Sequence, residues 1–160
     1  ENIERIKRNF DASNIFWVNN AVWNAQGSME FIASVGEEQG YNRLDTSQMQ
    51  EFPYHMDCNP VKIEVATNTL DHIVEDLGID KLDHVNLTIN GAELQALDGI
   101  SGILAKNNRL RIYINSEDPV PATSVIEKLR SMGFAVYTSN LIRTINKKIS
   151  LKRIYAVYGR

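Results

Sequence analysis

Cysteine is almost absent. Cys58 stands alone among 160 residues, so the chain forms no internal disulfide and no cysteine-based zinc cage. That usage fits a reducing compartment, and a cytoplasmic location is the expectation. Long hydrophobic runs are missing as well: no apolar stretch approaches the roughly 20 residues that cross a bilayer, and no signal peptide precedes the first helical segment. No membrane partner is therefore expected. Neither sign of charge dominates, with 17 Lys and Arg against 20 Asp and Glu and a net charge of -3. Basic residues are spread along the chain apart from Arg143, Lys147, Lys148, Lys152 and Arg153, which flank a hairpin-like segment and read as a solvated face. This distribution gives no case for a general nucleic-acid surface, and no nucleic-acid partner is expected.

What remains is an ordinary globular composition, 43% hydrophobic and 23% charged, long enough for one domain with a sizeable core. The chain begins Glu1-Asn2 without an initiator methionine, as a fragment or a processed product would.

Hydrophobic periodicity organises the chain. Ile3, Ile6 and Phe10 recur at helical spacing over residues 2–10. Residues 14–18 read as a strand, followed by a turn at Ala25-Gln26-Gly27 and a second strand over 29–34. Residues 36–60 are polar, hold two glycines and two prolines and show no period, like a functional flap or a mobile insertion. Beyond Pro60 the pattern tightens. A strand over 61–66 precedes a helix over 70–77, capped by Thr69 and ended by Gly78. A strand over 84–89 leads to a helix over 92–105 with Leu94, Leu97, Ile100 and Leu104 inward. A strand over 109–115, a helix over 122–132 opened by Pro121 and closed by Gly133, and an antiparallel pair over 134–138 and 152–158 complete the order. Alternating strands and helices predict an α/β fold with a layered, mostly parallel sheet.

Several of these segments resemble the FkbM-type methyltransferase domain. Thr69-Leu70-Asp71, the helix ending at Gly78, Asp83, Gly91-Ala92-Glu93 and Leu97-Asp98-Gly99 are similar to that family's "TLD … lKiDvEGaE … vLkG" signature. Lys7-Arg8-Asn9, Val18-Asn19-Asn20-Ala21-Val22 and Gly27 resemble its "krN … naAv … g" run. The similarity covers residues 2–116 and the terminal strand pair, so residues 1–160 are expected to form a single, partial domain of this kind. It implies a Rossmann-like class I methyltransferase sheet with helices on both faces. It also implies S-adenosylmethionine as cofactor and a hydroxyl of a sugar or small metabolite as methyl acceptor.

The chain departs from the family in two ways. The glycine-rich loop after the family's first strand and the acid that holds the cofactor ribose have no counterpart, as if the first strands were lacking. The motif's lysine, aspartate and glutamate align with Asn86, Thr88 and Asn90, leaving Glu93 as the one acid. Threonine and asparagine hydrogen-bond a ligand but are not usable bases near neutral pH. The candidate catalytic positions are Asn90, Glu93 and Thr88, and the candidate cofactor positions Asn20 and Ala21. Two hydrophobic strand edges would be unpaired without the first strands. An N-terminal half lost from the chain, a different strand pairing, or a partner chain or second copy over the edge would each answer that. The alternative function is a catalytically inactive fold working as a binding or interaction module.

Each position also has a purely architectural explanation. Asn90-Gly91 is a favoured turn pair, and Glu93 sits in a helix's first turn, where the dipole favours a carboxylate. Asp71 reads as a helix-start residue. Asn86, Thr88 and Asn90 share one side of their strand, as a pocket floor or an exposed face. His55-Met56-Asp57-Cys58 offers too few ligands for a metal site. Trp17, Trp23 and the tyrosines read as core and rim rather than a stacking platform.

Overall fold

A computed structural model describes residues 15–33, 43–44, 61–89, 91–116, 122–143 and 149–159. Two four-stranded mixed sheets and four short helices are formed by these residues. The fold is α/β, as the sequence predicts, but not one mostly parallel sheet. The first sheet contains β1 (Ala21–Val22), β2 (Gly27–Ala33), β3 (Arg43–Leu44) and β4 (Val61–Asn68) in the order β1-β4-β2-β3. Only β1 and β4 run parallel; β2 is antiparallel to both β3 and β4. The second contains β5 (His84–Leu87), β6 (Leu110–Ser116), β7 (Ala135–Arg143) and β8 (Ile149–Tyr158) in the order β5-β6-β8-β7. Here β5 and β6 are parallel, and β8 lies antiparallel between β6 and β7.

The strand expected over residues 14–18 is not formed by 15–18, which carry no regular structure. Ile15, Phe16, Trp17 and Val18 are all exposed. Apolar, β-branched composition favours a strand only where a ladder partner exists, and in this stretch only Ala21 and Val22 find one. The helix expected over residues 2–10, nearly all of 36–60 with the His55 to Cys58 group, Asn90 and Pro121 lie outside the described residues.

Helix α1 (Leu70–Asp76) is capped as expected: the Thr69 hydroxyl accepts the His72 N–H at 3.1 Å, and Gly78 follows with φ 65°. Such a cap contributes about 1 kcal/mol. The single helix expected over 92–105 is two, α2 (Glu93–Asp98) and α3 (Ser101–Lys106). Contacts from α1 make the break. The Gly99 carbonyl accepts the Asp71 N–H at 2.9 Å, and the Asp71 carboxylate accepts the Gly102 and Ile103 N–H groups at 2.7 and 2.8 Å. Asp71 thus caps the start of α3, while Thr69 caps its own helix. At the other end of α3 the Asn107 side chain donates to the Ile103 carbonyl at 2.7 Å and accepts the Leu82 N–H at 3.2 Å.

Helix α4 (Ala122–Ser131) completes the layer and is tied to α2 by the Lys128–Asp98 ion pair. Val74, Leu97, Ile103, Val125 and Leu129 from the four helices, with Ile100 between α2 and α3, share one core with Val85, Leu87, Ile112, Ile114, Ile154 and Ala156 from the second sheet. All the described helices that join this core meet the same face of that sheet. The opposite face carries exposed His84, Asn86, Arg111, Arg153, Tyr155 and Tyr137, so helices on both faces are not seen among the described residues.

Candidate functional site

The junction of β5 and α2 is built by alternation and one glycine. Val85 and Leu87 turn into the core, while Asn86 and Thr88 face solvent. The Thr88 hydroxyl and the Asn86 side-chain oxygen lie 3.5 Å apart, so these two sequence-predicted positions do come together, on the open side of the sheet. After Thr88 the chain must turn sharply into α2. Gly91 makes that turn at φ 98°, a left-handed conformation that a side chain would strain. Asn90 lies outside the described residues.

Glu93 is wholly buried, with no solvent-accessible side chain. Its carboxylate accepts the Gly91 N–H at 3.2 Å, folding the first turn of α2 back onto the loop that precedes it. The carboxylate therefore holds the strand-to-helix turn and is closed to a substrate approaching from solvent in this conformation. Two of the three candidate catalytic residues are thus placed: Thr88 outward and Glu93 inward.

Asn20 and Ala21 belong to the other sheet. Asn20 is half-buried at the bend before β1, and Ala21 opposes Thr67 of β4. Residues 13–29 contain no aspartate or glutamate, so no acid close in sequence stands beside Asn20. No group of three or more metal-binding side chains exists among the described residues.

The tightest packing at this end of the fold lies elsewhere. The Trp23 N–H donates to the Asn68 carbonyl at 2.9 Å, extending the β1–β4 ladder by one bond. Gly99 fits beneath it: a β-carbon there would stand 3.0 Å from both the Trp23 carbonyl oxygen and the Thr69 β-carbon. Thr69, Asp71, Gly99 and Gly102 form one knot, with Trp23 above it. Asn68 supports it from below, its side-chain oxygen accepting the Thr69 N–H at 2.9 Å while the residue is buried. Sequence reasoning singled out Thr69, Asp71 and Gly99, read Trp23 only as core or rim, and passed over Asn68 and Asn107. A buried asparagine has no signature in a chain where asparagines are frequent.

No family model matches the chain, and no curated protein or solved structure is similar to it.

Proposed function

We propose that these residues are part of an FkbM-like, S-adenosylmethionine-dependent O-methyltransferase acting on a sugar or other small hydroxyl-bearing metabolite. The observation that carries this reading is the knot just described. The segments that resemble the family signature, Thr69-Leu70-Asp71 and Leu97-Asp98-Gly99, are about thirty residues apart in sequence yet bonded directly, Asp71 N–H to Gly99 carbonyl at 2.9 Å. A chance likeness gives no reason for its separate pieces to meet. The antiparallel terminal pair β7 and β8, which the resemblance includes, is also present.

The described residues do not by themselves fit the cofactor. Asn20 and Ala21 flank β1 in one sheet, Thr88 follows β5 in the other, and the stretch around Asn20 offers no carboxylate for a ribose. Both β1 and β5 are end strands of their sheets, each paired on one side only among the described residues. In this reading a strand and glycine-rich turn from outside these residues complete the site at those edges. The part left to this chain is positioning. Thr88, with Asn90 two residues on in sequence, orients the acceptor hydroxyl by hydrogen bonds, and Glu93 keeps the turn rigid. Such orientation is where transfer between two bound molecules gains most of its rate. Neither Thr88 nor Asn90 takes the hydroxyl proton.

A second reading has its own observation. Glu93, the one acid left in the motif, is buried in a structural contact, which suits a fold kept for binding after the chemistry was lost. Calorimetric titration with S-adenosylhomocysteine separates the two. The complete gene product is expected to bind and the 160-residue chain alone is not. Silence from the complete product sinks the enzyme reading, and binding by the short chain overturns the view that its cofactor site is incomplete.

A further inference from the structure

The open face of the second sheet is a row of tyrosines. Strand register aligns Asn86 with Tyr113, Tyr113 with Tyr155, and Tyr155 with Tyr137, one residue from each of the four strands. Tyr155 is 39% and Tyr137 62% exposed, with ring centroids 6.5 Å apart; Tyr113 is half-buried. Neighbouring strands are about 4.8 Å apart, so the register sets the three tyrosines in one row across the sheet, with the Tyr137 and Tyr155 rings in contact. Arg111 lies two residues from Tyr113 on one side of the strip, and Arg153 two residues from Tyr155 on the other; both are exposed. His84, Asn115 and Ser139 fill out the same face. No Asp or Glu lies on it among the described residues of the four strands.

We infer that this face binds a short single-stranded polynucleotide, its bases stacking on Tyr113, Tyr155 and Tyr137 and its phosphates meeting Arg111 and Arg153. Every base has a π-face, so a strip of aromatic rings flanked by arginines takes single strands with little sequence preference. The charge pattern selects the occupant. Cations with no carboxylate among them repel a second copy of the same face and suit a polyanion. The sequence hides this arrangement because the three tyrosines are 24 and 18 residues apart along the chain. The inference stands on the open face of the described residues and does not draw on the methyltransferase reading; it departs from the sequence expectation of no nucleic-acid partner.

Fluorescence anisotropy of a labelled oligouridylate about 12 nucleotides long tests it. Binding in the micromolar range at low salt is expected, with a log–log salt slope of roughly -1.4 for two phosphate contacts. Tyr155→Ala and Tyr137→Ala should each weaken it about tenfold, and Tyr155→Phe should restore it, because stacking needs the ring and not the hydroxyl. Arg153→Ser should weaken binding and flatten the salt slope. Arg130→Ser, which removes the same charge from exposed α4, should leave it unchanged. Circular dichroism confirms that each variant is folded. No binding up to about 100 µM, equal binding by Tyr155→Ala, or equal affinity for polyglutamate would each overturn the inference, the last by showing a face for acidic protein segments.

Discussion

Gly99→Val is expected to destabilise the fold by about 3 kcal/mol, the upper part of the range for overpacking a filled site. Gly99 has φ -95°, so backbone strain is not the reason. Space is. The added carbon would press on the Trp23 carbonyl oxygen and the Thr69 β-carbon at 3.0 Å, and neither can yield cheaply. Trp23 is held by its N–H bond to Asn68, and Thr69 is fixed on both sides by the Asn68 side chain and its own cap on α1. Urea unfolding measures the effect directly. A loss below about 0.5 kcal/mol, the range of ordinary surface changes, would mean that β1 separates freely from the Thr69 turn. The knot would then not be a fixed part of the fold.

Asp71→Ala follows close behind, with an expected loss of about 2 kcal/mol. The carboxylate receives two backbone N–H groups at the start of α3 at 2.7 and 2.8 Å, and the Ser101 hydroxyl at 3.4 Å. Alanine leaves those donors without it where the chain has already broken the helix to reach it. Asp71→Asn keeps one acceptor oxygen and should lose about half as much. The two variants measured side by side by urea unfolding distinguish capping from simple loss of a side chain. Equal losses would argue that charge on the helix start, rather than the count of accepted bonds, is what Asp71 supplies.

These two positions show how far the sequence could be read. Thr69, Gly78, the strand at Val85 and Leu87, and the helix after Ala122 announce themselves through short-range rules: a cap, a left-handed glycine, alternation, and a 3.6-residue period. The break between α2 and α3 does not, because Leu94, Leu97, Ile100 and Leu104 keep helical spacing straight through it. It is imposed by hydrogen bonds from α1, some thirty residues earlier. The division into two sheets was illegible for the same reason, since strand pairing is long-range and edge strands look like central ones locally. At the candidate site, alternation correctly put Asn86 and Thr88 on one side. It could not say that Glu93 would bend inward to its own turn, because the helix dipole favours a carboxylate there whichever way it points. The tyrosine row was invisible for a geometric reason: aligned residues in neighbouring strands share no sequence spacing.

The division between the two faces of the second sheet over Arg153 to Ala156 also fixes its register. A slip of β8 by one residue between β6 and β7 would turn Arg153 and Tyr155 into the core and put Ile154 and Ala156, both wholly buried now, into water. Since side chains alternate with period two, the whole stretch from Arg153 to Ala156 would be wrong at once. The first sheet lacks that safeguard. Val61 and Ile63, on the apolar side of β4, are already 47% and 45% exposed, so a shifted pairing with β2 forfeits less. Fidelity of assembly therefore resides in the C-terminal sheet, where a misaligned strand meets a buried arginine before it can persist.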